Sequence, residues 1–174
     1  PGQGLMAADL VCVDGRIAEI RHPGATSCSD IDATGCLVLP GIVDIHGDAF
    51  GSPDGLWCDP RGVLWIQTDA SASEMYIGEY QRIGNNSLLA ADPSTGEVRR
   101  FLVGPVNCEV TGITATPDLK TLFVNIQHPG ETPGNWSDPK NPSRFSSWPN
   151  NKPNERPRSA TVIIRKRDGG VVGT

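Results

Sequence analysis

Short apolar stretches closed by tight polar turns recur through most of this chain, and that rhythm leaves little room for long helices. Gly55–Asp59 and Val63–Gln67 flank Asp59-Pro-Arg-Gly62. Ser87–Ala91 and Glu97–Val103 flank Asp92-Pro-Ser-Thr-Gly96, and Gly112–Thr116 and Thr121–Asn125 flank Pro117-Asp118. Ala160–Arg165 runs into Asp168-Gly169-Gly170. Apolar runs of this length between Gly, Pro and Asp clusters read as strands joined by turns. The 20 glycines and 15 prolines make up about a fifth of the 174 residues, against about an eighth in average usage. The expected fold class is therefore mainly β.

Near the start, Asp9–Val13 and Arg16–Ile20 flank the pair Asp14-Gly15, a strong short-range signal for a hairpin. A polar stretch from His22 to Thr34 follows. Cys36–Ile45 then reads as two short strands broken at Pro40-Gly41. The character changes after Phe50. The Gly55 and Gly112 hairpins read as copies of one unit 57 residues apart, with Leu56/Ile113 and Pro60/Pro117 aligned. One inserted turn residue then brings Leu64/Leu122, Trp65/Phe123 and Ile66/Val124 into line. Such spacing suits a propeller blade with a long excursion. Residues 130–158 lack apolar periodicity, and Trp136, Phe145 and Trp148 within them favour a loop strapped across the fold.

The formal net charge of −5 argues against nucleic-acid binding through a basic surface. The longest apolar run, Cys36–Ile45, is too short for a bilayer and is interrupted by Pro40, Gly41 and Asp44, so no membrane partner is expected. Five cysteines without a CxxC pair support neither zinc nor a complete disulfide framework. They read as inert thiols. The chain opens on Pro1 with no leader pattern behind it, which suggests a processed chain or a fragment.

Two constellations could carry metal chemistry. His46 and Asp48 follow an apolar run, and alternate residues of an extended strand point the same way, so both could reach one ion. The competing reading is a strand end in solvent. Asp54 and Glu109 precede the glycines of the two repeat copies, where acids from neighbouring blades could meet a hard cation. The competing reading for Asp54 is a local turn. His128 reads as a satisfied structural histidine at a strand exit. The basic run Arg156, Arg158, Arg165, Lys166 and Arg167 reads mainly as a solvated face, with phosphate contact as the alternative. GxSxG, Walker and GxGxxG motifs are absent from the sequence.

Two family likenesses rest on these residues. Val13–Ile20 and Leu37–Phe50 resemble the amino-terminal piece of a phosphonate-metabolism amidohydrolase, a PhnM-like diphosphatase. That resemblance implies His46 and Asp48 as ligands of a metal-bearing barrel whose remaining parts are not in this sequence. Ser52–Asp69, Cys108–Gly112, Leu122–Glu131 and Arg156–Arg165 resemble, in family order, the carboxy-terminal portion of a PhoX-type alkaline phosphatase. This second resemblance implies a partial β-propeller, calcium and iron as cofactors, and Asp54 and Glu109 as metal ligands. It also implies phosphate monoesters as substrates and a periplasmic or secreted location. The family's cysteine ligand is not expected at Cys58 or Cys108.

The expected organisation is thus an incomplete amidohydrolase-like segment, 1–50, followed by an incomplete phosphatase propeller fragment, 51–174. Their junction reads as either a natural fusion or a misassembled frame. The chain alone is expected to be inactive, and open sheet edges invite self-association. The alternative function is a non-catalytic β-repeat module that binds a partner through the 130–158 loop. A weaker alternative is amidohydrolase-type hydrolysis at His46/Asp48.

Overall fold

In the computed structural model the described residues are 9–13, 16–22, 50–132 and 139–174. The chain divides into two compact units, Pro1–Gly41 and Ile42–Thr174. In the first, β1 (Asp9–Val13) and β2 (Arg16–Arg21) pair antiparallel, with Val13 opposite Arg16. The expected hairpin is present. Cys36–Ile45, His46 and Asp48 lie outside the described residues.

The second unit holds two antiparallel meanders. Strands β3 (Pro53–Cys58), β4 (Leu64–Thr68), β5 (Ser87–Asp92) and β6 (Glu97–Val103) form one sheet in chain order. Strands β7 (Glu109–Ala115), β8 (Thr121–Gln127) and β9 (Ala160–Arg165) form the other. A single helical turn, α1 (Tyr80–Ile83), lies in the connection from β4 to β5. Strand β7 packs against β3, β4 and β5, so the two meanders meet as neighbouring blades of a partial propeller do.

Apolar burial holds that contact together. Trp65 and Leu88 from the first sheet meet Val110, Leu122, Val124 and Ile126 from the second, with Cys108 and Val172 completing the core. Phe101 stands edge-on to Trp65, with ring centroids 5.0 Å apart. All five residues of β4 are buried, as suits a central strand covered on both faces.

The two hairpins read as copies share one register. Trp57 faces Trp65 and Cys58 faces Leu64 in the first; Thr114 faces Phe123 and Ala115 faces Leu122 in the second. Each first strand is interrupted by a bulge, between Pro53 and Gly55 and between Thr111 and Thr114. Across the inter-sheet contact, the Gln67 side-chain oxygen accepts a long 3.4 Å hydrogen bond from the Ile113 amide. Gly55 permits this approach, because a Cβ there would lie 2.6 Å from the same oxygen.

The long loop behaves partly as the expected strap. Trp148 packs against the core, and the Arg158 amide donates to its carbonyl. Phe145 stays 42% exposed beneath the Arg144 guanidinium, which lies 4.9 Å from the ring centre. Trp136 lies outside the described residues. The basic run is divided among separate partners: Arg158 with Asn150, Arg165 with Thr121, and Lys166 with Asp168.

At the β3–β4 turn, Asp59 is only 3% exposed yet fully engaged. Its carboxylate accepts from the Arg61 and Val63 amides, the Trp65 indole and the Arg61 guanidinium, the last at 2.6 Å. Burial alone would raise its pKa, but the hydrogen bonds from Arg61 and Trp65 hold it below the ordinary value of 3.8. Asp59→Asn should cost about 2 kcal/mol at neutral pH, because hydrogen bonds to a buried charge are lost. The native carboxyl titrates below its unfolded value. Its stabilisation is therefore complete above that value and disappears as the pH falls through the native one. Denaturant melts of both proteins from pH 7 down to pH 2 would check this; a constant difference across that range would contradict it.

Candidate metal centre at the shared end of two hairpins

The start of β3, the exit of β4, the start of β7 and the exit of β8 lie at one end of the two sheets, because the hairpins repeat the same up-and-down order. Acidic residues gather there. Glu109 opens β7 opposite Gln127 and is 8% exposed. His128 follows directly on β8. Its Nε2 lies 3.2 Å from Glu109 Oε2, and its Nδ1 lies 2.8 Å from Glu131 Oε2. Nδ1 makes no hydrogen bond at that approach and is buried. The expectation of a satisfied histidine is therefore met on one ring nitrogen only.

The His128 backbone is held in the left-handed region, at φ 34°. Its amide donates to Ser159 Oγ, and the Glu131 amide returns to its carbonyl. The Glu131 amide also reaches the Asn107 carbonyl, while Asn107 Nδ2 donates to the Glu131 carbonyl. Asn107 is itself at φ 50°. These contacts fold the 128–131 turn back onto the segment that leads into β7.

Asp69 stands just beyond β4, with its amide bonded to the Ser52 carbonyl. Partial burial raises its pKa; Glu109 raises it further, His128 opposes, and Asp54 and Glu131 add smaller upward contributions. One carboxyl thus feels all the other charged groups of this end. The side chain still reaches solvent, so the energetic weight of that field is reduced by screening.

The residues expected from sequence are placed unevenly. Glu109 is central. Asp54 is exposed on the β3 bulge and bears on the site through its field at Asp69. Register also changes the expected equivalence of the two acids. The strand position level with Glu109 in the first hairpin is Ser52, whose carbonyl meets Asp69, while Thr111 falls level with Gly55 and Asp54 is the bulge residue left without a register partner. The acid of the first sheet that feels Glu109 most strongly is Asp69. Sequence reasoning passed over Asp69 and Glu131; a signal for Glu131 was its place three residues after His128.

Cys108, next to Glu109, is fully buried, and burial pushes its thiol up to about 12, with Glu109 and Asp69 contributing. A thiol so hard to ionise is a core residue. Among the described residues, no three His, Cys, Asp or Glu side chains stand close enough to hold a metal ion between them. The donor chemistry nevertheless fits part of a metal shell. Carboxylate oxygens suit calcium, an imidazole beside carboxylates suits iron, and His128 Nδ1 is a buried donor atom left without a hydrogen bond.

Residues 38–130 match the family model of the alkaline phosphatase PhoX, and the chain belongs to that family. The match begins before the junction expected near residue 51. The chain is also similar to the solved structure of Pseudomonas fluorescens PhoX in complex with vanadate, a transition state analogue. The identity is 50% and the TM-score 0.60, over 71% of this chain and 19% of that one. This chain therefore spans about a fifth of that protein's length. No curated protein matches it.

The raised carboxyl of Asp69 predicts a measurable strain. Its native pKa lies above the unfolded one, so the native state loses stability as pH rises through the window between them. Asp69→Asn should therefore raise Tm at pH 7 without added metal, and the gain should shrink below the unfolded value and in high salt. Thermal melts at pH 7 and pH 3 decide it; a lower Tm at pH 7 would show that the charge is stabilising.

Proposed function

We propose that this chain supplies one wall of a metal-dependent phosphomonoesterase site, with Glu109, Asp69, Glu131, His128 and Asp54 as its polar groups. The observation that carries the reading is the convergence of Glu109, His128 and Glu131 at the shared end of two repeated hairpins. Membership of the PhoX family supplies the reaction class. The substrates would be phosphate monoesters. Calcium and iron are the ions proposed, and a periplasmic or secreted setting goes with the same family. Among the described residues no helix is long and apolar enough to cross a membrane.

In this reading Glu109 and Asp54 offer oxygen ligands, and Glu131 and Asp69 supply negative charge that a cation relieves. Burial is the larger cause of the upward shift at Asp69, and a bound cation would oppose the share that Glu109 adds to it. His128 stands between the two carboxylates, bonded to Glu109 through Nε2 and 2.8 Å from Glu131 at Nδ1, and so sets their places. Bound metal would supply Lewis-acid stabilisation of phosphoryl oxygens. The remaining ligands and the nucleophile are assigned to residues beyond those described, consistent with a chain that covers 19% of the solved relative.

Two measurements test the reading. Calorimetric titration should detect calcium binding to the chain, weakened about tenfold or more in Glu109→Gln. Unchanged affinity in that variant would remove Glu109 from the site. The chain alone should turn over no p-nitrophenyl phosphate. Metal-dependent turnover abolished by Glu109→Ala would instead place a complete centre within it.

A further inference from the structure

Asn86, the residue before β5, is almost wholly shut off from solvent, being 2% exposed. Its amide has two donor positions and two acceptor positions, and all four are used. Oδ1 accepts from the Ala70 amide at 2.7 Å and from Thr68 Oγ1 at 3.1 Å. Nδ2 donates to the Ala70 carbonyl at 2.9 Å and to the Cys108 carbonyl at 2.9 Å. Thr68 and Ala70 are the two neighbours of Asp69, and Cys108 is the neighbour of Glu109. One planar amide thus clamps both sides of the first acid and one side of the second, although the two belong to different sheets.

We infer that Asn86 is a positioning residue for the acidic site, fixing the separation of Asp69 from Glu109. The identity of the site as a cation centre rests on the function proposed above; the clamp itself rests only on these hydrogen bonds. The chemistry is specific to an amide. A carboxylate at residue 86 would retain the two acceptors but lose both donors, leaving the Ala70 and Cys108 carbonyls unpaired beside a buried charge. A serine is too short to span the same four groups. Outer groups of this kind orient the groups that meet the metal, and their loss commonly costs about 10- to 100-fold in metal affinity.

The test compares Asn86→Ser with Asp59→Asn, which weakens the fold at the opposite turn without touching the site. Both variants should lower Tm. In calcium titrations at a temperature where each is folded, Asn86→Ser should bind at least about tenfold more weakly, while Asp59→Asn should bind as the parent does. Equal affinity in Asn86→Ser and the parent overturns the inference. A metal-free arm stands apart from the proposed function: in proton–nitrogen spectra the Asp69 and Glu109 amides should shift in Asn86→Ser and keep their parent positions in Asp59→Asn. Unmoved Asp69 and Glu109 amides in Asn86→Ser mean that the acids keep their places without Asn86, and the inference falls. If the parent binds no calcium, the cation reading fails and this second arm alone decides Asn86. If Asn86→Ser does not fold, Asn86→Gln, which keeps a neutral amide but displaces it by one methylene, takes its place. Failure of both to fold would make Asn86 a folding residue and overturn the positioning role.

Discussion

Two consecutive amides, Asn85 and Asn86, tie the end of one sheet to the entrance of the next. Asn85 takes the Asn107 amide and gives to the Gly104 carbonyl, while Asn86 joins Ala70 to Cys108. Backbone groups at the junction of two sheets have no ladder partners, and leaving them buried and unpaired would cost more than the bonds themselves contribute. The apolar core behind them supplies most of the driving force but little direction. The amides fix which backbone atoms face each other, and hence where the side chains beside them stand.

That division of labour explains the character of the site. Trp65, Leu88, Val110 and Ile126 hold β7 against the first sheet. Gln67, Asn85 and Asn86 set the level at which the sheets meet. Glu109 then enters at the same end as the β4 exit, and the 128–131 turn returns its imidazole and second glutamate to it. The result is a group of carboxylates whose mutual field is felt at Asp69. Like charges held together against their repulsion are an arrangement that a hard cation stabilises. The left-handed backbone at His128 and Asn107 is part of the same closure, since both residues are held there by bonds across the 128–131 turn.

Much of this was legible in the chain and some was not. The hairpins could be read because their signals are local: alternating or continuous apolar residues bounded by Asp-Pro, Pro-Asp or Gly turns. Ala160–Arg165 and Glu97–Val103 are strands with the bounds the sequence suggested. Glu109 stood out beside a repeat. Asp69 did not, because it follows β4 as an ordinary polar residue and acquires its neighbours only when β7 packs across β4. His128 was read as a lone structural imidazole; its relation to Glu109 crosses 19 residues and exists only through the pairing of β7 with β8.

By itself the sequence determined the mainly β class, the repeated hairpin and the acidic character of the segment that opens β7. Those follow from residue type and spacing over a few positions, where steric preference and turn chemistry act alone. The tertiary structure decided which acids share a site. A bulge in β3 and another in β7 each add a residue to one strand, shifting everything before them relative to the partner strand. Asp54 is thereby set on the exposed bulge, Ser52 comes level with Glu109, and Asp69, bonded through its amide to Ser52, comes within the field of Glu109. Only inter-strand and inter-sheet hydrogen bonds fix such shifts, and residues distant in the chain make them.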